Sequence, residues 1–189
     1  VDRSLEGQRD EEKRAQLDVK EAKHLEKVAQ ENVTQLEKDQ KSQEKASAAI
    51  AAQKDPTTGD LDPALAFKGV EGRDVKMDTT DPALERYMLG KAKTISEATF
   101  GAGSTAAKAS EEELKNLFYS SADDKETEKQ WAVKANEAVQ NRLVSVDQQA
   151  QDDPITNDKI VKATEKSATA SGDVTAAEDK LHALQATHF

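Results

Sequence analysis

The stretch IVKATEKSATASGDVTAAEDKLHAL, from Ile160 to Leu184, decides the fold class. Within it Ile160, Ala163, Ser167, Ala170, Val174, Ala177, Leu181 and Leu184 alternate spacings of three and four without a break. That spacing lines them along one stripe of an α-helix, whereas a half-buried strand would repeat every second residue. Such a seam is what one helix offers another in a coiled coil, and its small residues allow a close approach. Gly172 is the weak point, and Thr175 with Glu178 forms a capping-box pattern able to restart a helix there.

The opposite end of the chain reads as a second arm. Residues 4–53 contain no proline and only one glycine, Gly7. A three-four spacing runs through Ala15, Asp18, Ala22, Leu25, Ala29, Asn32, Leu36, Asp39, Gln43, Ala46 and Ile50, flanked by Val19, Val28 and Val33. The seam is poor, with polar residues at several core positions. A helix so polar requires partners to hold one register.

Between the arms the chain is punctuated by Asp-Pro. The four pairs are Asp55-Pro56, Asp62-Pro63, Asp81-Pro82 and Asp153-Pro154. Aspartate caps helix N-termini and proline fits the first turn, so the pairs predict helix starts near 56, 63, 82 and 154. Residues 54–80, rich in Gly and Thr, predict an irregular loop of a length that is often functional. Helices are expected from Pro82 to about Thr99, from Ser110 to Tyr119 (Ser110 and Glu113 forming a capping box), and over 123–150. In the last of these Trp131, Ala135, Val139, Leu143, Val146 and Ala150 share one face.

Composition leaves two solutions, disorder or long thin helical packing, and it is the periodicity that separates them. Charged residues make up 34% and hydrophobic residues only 35%, too little apolar bulk for a conventional sphere of 189 residues. The bulk is unevenly placed: six of seven aromatics lie between Phe67 and Trp131, and six of eight glycines between Gly59 and Gly103. The expected fold is therefore all-α, with helical arms from both termini and a small loop-rich head. The expected divisions are an N-terminal arm over 1–54, a head over 55–122, and C-terminal helices over 123–189 (123–150 and 155–189) that pack on the first arm.

Chemistry-bearing motifs are sparse. The three histidines, His24, His182 and His188, all lie in the arms. His182 and His188 are six residues apart, not the three or four that set two ligands on one helix face. Asp55–Asp62 resembles a calcium loop, but its glycine is fifth rather than sixth, and a polar turn is expected. Gly101-Ala-Gly103 lacks the Gly-Lys-Ser/Thr of a phosphate loop. Glu111, Glu112 and Glu113 suit the acidic start of a helix. No catalytic residue, metal or cofactor is expected.

The aromatic and apolar residues of the middle, Phe67, Val70, Phe118, Tyr119 and Trp131, are candidates either for core packing or for contact with a partner. The net charge of −10 opposes binding to phosphate backbones or anionic membranes. No apolar run approaches the length of a membrane span. The absence of cysteine is compatible with export or with incorporation into a virion. These features lead to the expectation of a non-enzymatic structural or assembly protein that self-associates or docks in a larger complex. Its architecture is similar in kind to exported filament and tip proteins of bacterial secretion systems and to virion scaffold proteins. The alternative is a secreted effector or binding module acting through the 55–122 head.

Overall fold

A computed structural model describes residues 2–65 and 67–187. Helix accounts for 80% of it, in five α-helices and one short 3-10 turn, with no strand among the described residues. The helices are α1 (Asp2–Ala52), α2 (Pro82–Phe100), α3 (Thr105–Asp123), α4 (Glu128–Asp152) and α5 (Asn157–Thr187). Contacts divide the chain into two compact units. One joins residues 1–36 to 156–189, and the other comprises 37–155. The division falls inside α1, between Leu36 and Glu37, rather than at residue 54.

In the first unit α5 runs unbroken through Gly172. Ala163 and Val174 are buried, and Ile160, Ser167, Ala170, Ala177, Leu181 and Leu184 are half-buried. On α1 the inward stripe is Gln8, Glu12, Ala15, Val19, Ala22, Glu26, Ala29, Val33 and Leu36. This corrects the expected register of the first arm: Asp18, Leu25 and Asn32 face solvent, and Leu25 is 55% exposed. The reason lies in Val19 and Val33, one position along from Asp18 and Asn32, whose burial is more favourable. Gln185 Nε2 donates to Glu12 Oε1 at 3.3 Å, and Lys23 lies 3.5 Å from Glu178. Residues later in α1 therefore meet residues earlier in α5, and the pair is antiparallel.

The second unit packs the end of α1 with α2, α3 and α4 around Trp131, Phe100, Phe118, Met88 and Leu114, all fully buried. The indole Nε1 of Trp131 donates to the Leu114 carbonyl at 3.2 Å, satisfying the one polar atom of the largest core side chain. Ser96 and Ser110 share a buried hydroxyl–hydroxyl hydrogen bond of 2.9 Å where α2 meets α3.

The helix starts differ instructively from expectation. Asp81-Pro82 does open α2, with the Asp81 carboxylate accepting from the N–H groups of Ala83 and Leu84. Asp55 and Asp62 use the same side-chain acceptor to close turns, and Pro63 starts only the 3-10 turn Pro63–Leu65. Pro154 precedes α5 by three residues, and Thr156 accepts from the Lys159 N–H instead. Helix α3 begins at Thr105, not at Ser110, because Ser104 caps it by accepting from Ala107 N–H. A capping box built by Thr127 and Gln130 opens α4.

Candidate functional site

Residues 67–77 lead to an elaborate polar arrangement of the second unit. Between Pro63–Leu65 and α2 there is no helix among the described residues, yet the main chain from Phe67 onward is held closely to α4. The amide side chain of Asn136 accepts from the Val70 N–H and donates to the Val70 carbonyl, the latter at 2.9 Å. Farther along, Glu128 N–H donates to the Val75 carbonyl (2.8 Å) and Lys129 N–H to the Arg73 carbonyl (3.1 Å). Those amides belong to the first turn of α4, where no intrahelical acceptor exists. The segment thus strings itself along the start of α4 by satisfying groups that the helix leaves free.

Glu128 is the anchor of this strap. Its side chain is wholly buried. Oε2 accepts from the Arg73 N–H (3.0 Å) and from Lys91 Nζ (2.8 Å). Oε1 accepts from Arg73 Nε (2.9 Å), with the terminal guanidinium nitrogen at 2.8 Å. Lys91 also donates to the Glu71 carbonyl at 2.5 Å. Burial pushes the Glu128 carboxyl up, but the hydrogen bonds from Lys91 and Arg73 outweigh it and hold the carboxyl below its ordinary range. The Glu128 hydrogen bond likewise raises Arg73. The Tyr87 ring stacks 4.2 Å from the Arg73 guanidinium, and Lys91 lies 5.5 Å from the Trp131 ring. At Gly72 any Cβ would strike the Glu128 main-chain carbonyl, so only glycine fits between strap and helix.

Beside this anchor lies an open cleft of about 910 Å³. Lys45, Ala48 and Ala49 of α1 form one lip, and Lys91, Ile95, Ala98 and Thr99 of α2 form the other. Val139 and Leu143 of α4 and the strap residues Phe67–Glu71 complete the lining. The surface is mainly apolar with a few charged groups at its margin, the usual constitution of a ligand site. A smaller hollow of about 240 Å³ lies among α1, α3 and α4 and the turn at Ile155, with Ser42 and Arg142 in its wall.

The residues singled out from the sequence fall into different places. Phe67 and Val70 pack partly buried against the core, and both line the cleft. Phe118 and Trp131 are fully buried, while Tyr119 is 38% exposed and donates its hydroxyl to Glu85 at 3.0 Å. That hydrogen bond, helped by burial, raises the phenol above its usual range. Asp55–Asp62 is a hydrogen-bonded turn, with Asp55 N–H on the Asp60 carbonyl and Gly59 in the left-handed region at φ 75°. His24 and His182 are exposed, and His188 lies outside the described residues. Among the described residues no cluster of three or more His, Asp or Glu is placed to hold a metal, and no helix is long and apolar enough to cross a membrane. Glu113, read as part of an acidic helix start, pairs with Arg142 at 2.7 Å. Sequence patterns missed Glu128, because its partners stand 55 and 37 residues away and leave no local signature. No family model matches the chain, and no curated protein or solved structure matches it either.

Proposed function

We propose that the chain is a non-enzymatic assembly protein, whose α1–α5 pair completes a larger helical bundle by self-association. The observation that carries this reading is how little that pair buries. Across residues 5–36 and 156–187 only Ala15, Val19, Ala163 and Val174 are buried. Val33, Leu36, Ile160, Leu181 and Leu184 stay half-exposed, and Leu17, Leu25 and Val28 are 64%, 55% and 48% exposed. Burying a valine contributes about 1.5–3 kcal/mol, while ordering each residue's backbone costs about 1–2 kcal/mol. Four small side chains do not offset the ordering of two helices of this length. Further helices packed on the same seam supply the missing burial, as in bundles and multi-stranded coiled coils. An exported filament or tip component, or a virion component, is the setting such an assembly fits.

Sedimentation equilibrium of the full chain tests this. Reversible association that weakens in a Leu181→Asp, Leu184→Asp double variant is expected. A monomer at every concentration, indifferent to these substitutions, overturns the reading.

The cleft favours a second reading, a binding module acting through the middle of the chain. Its test is occupancy of the cleft by a ligand.

A further inference from the structure

We infer that the cleft of the 37–155 unit is a site for an aliphatic carboxylic acid, its chain on the apolar floor and its carboxylate at Lys45 and Lys68. This deepens the binding-module reading by naming the ligand class, and it is independent of self-association.

The cleft's volume, about 910 Å³, lies in the range that small-molecule sites occupy. Its floor is Val139 and Leu143, which belong to the buried core, and Ile95 and Phe67 extend the apolar surface. An extended hydrocarbon can cover such a surface without leaving buried polar groups unpaired. The wall formed by the strap has no polar demand of its own at Val70, whose N–H and carbonyl are both taken by Asn136.

The charges choose the head group. Lysines 45, 68 and 91 line the cleft, against the single carboxylate of Glu71, in a chain whose net charge is −10. Lys91 is already committed to Glu128 and to the Glu71 carbonyl. Lys45 and Lys68 make no ion pair among the described residues, and both are exposed. Two unpaired ammonium groups on the rim of an apolar cleft complement one anionic head on an apolar body. A cationic amphiphile meets the wrong sign, and a neutral one leaves the lysines unused.

The test uses the full chain, with decanoate and decanol as probes below their aggregation limits. Calorimetric titration is expected to give saturable decanoate binding, about tenfold tighter than decanol. Lys45→Gln with Lys68→Gln is expected to abolish that preference while leaving decanol binding intact. Ala98→Trp, placed at the exposed lip, is expected to block both ligands, with helix content and an unchanged urea midpoint of the helix signal reporting that the unit still folds. Should that variant not fold, the lysine pair alone decides. Equal affinity for acid and alcohol, or a preference that survives loss of both lysines, overturns the head-group assignment. A hydrophobic dye separates the two possible failures. Dye binding blocked by Ala98→Trp but not displaced by decanoate refutes the ligand class and keeps the site. No dye binding and no decanoate binding refutes the site itself.

Discussion

Replacing Glu128 by alanine removes the carboxylate that accepts from Arg73 and Lys91, and leaves the main-chain bond from Lys129 N–H to the Arg73 carbonyl in place. Deleting one partner of a buried ion pair costs about 3–5 kcal/mol, because the remaining charge is left without compensation. Here the remaining charges differ. The Arg73 side chain is 52% exposed and regains water readily, whereas that of Lys91 is only 18% exposed and regains less. The Arg73 N–H loses its acceptor as well. The expected loss is therefore at the lower end, about 3 kcal/mol. That is a large part of the roughly 5–15 kcal/mol that stabilises a domain. Urea unfolding followed by fluorescence of Trp131 measures it, since this single tryptophan sits fully buried in the same unit. The surface pair Lys27–Glu31 provides the control, and Lys27→Ala is expected to change stability by less than about 0.5 kcal/mol. A Glu128→Ala variant within about 0.5 kcal/mol of the parent would refute the reasoning. The strap would then be held by its main-chain bonds alone.

Acid titration of the same signal gives a second expectation. The Glu128 carboxyl is held below its ordinary range in the folded chain, so its contribution is present above the unfolded value, about 4.3, and is lost as pH falls through the lower folded value. The parent is expected to lose more stability below about pH 4.3 than Glu128→Gln does, and parallel acid curves would contradict this. Gly72→Ala is expected to destabilise the unit by about 1–3 kcal/mol in the urea assay, because its Cβ meets main chain that cannot swing aside. Gly172→Ala is expected to do the reverse: nothing lies within 4 Å of the added methyl group, and the helix gains about 0.5–1 kcal/mol, read as a higher midpoint in thermal melts of helix content.

How much of this was legible in the sequence depended on whether the signal was local. The stripe from Ile160 to Leu184 is readable because most residues flanking it are polar or small, and every one of its positions is buried or half-buried in α5. On α1 apolar residues occur on several faces, so spacing alone admitted two registers, and the exposed Leu25 drew the reading to the wrong one. Ser110 with Glu113 carried a capping-box pattern, but Ser104 lies six residues earlier and caps the helix first, leaving Ser110 for Ser96. Asp55-Pro56 and Asp62-Pro63 close turns and only Asp81-Pro82 opens an α-helix directly, since the turn chemistry of aspartate serves loops equally well. The cleft and its strap were legible only as a loop containing Phe67 and Val70. What builds them is long-range: Asn136 on Val70, Gly72 on Glu128, and Glu128 on Arg73 and Lys91.

The central claim is that the α1–α5 pair needs further copies while the 37–155 unit does not. Thermal unfolding of the full chain, over about a hundredfold range of concentration, separates them by mass action. The account predicts that the helix signal contains a transition whose midpoint rises with concentration, while the Trp131 fluorescence transition stays fixed. Transitions that both remain at the same temperature across the whole range would contradict it.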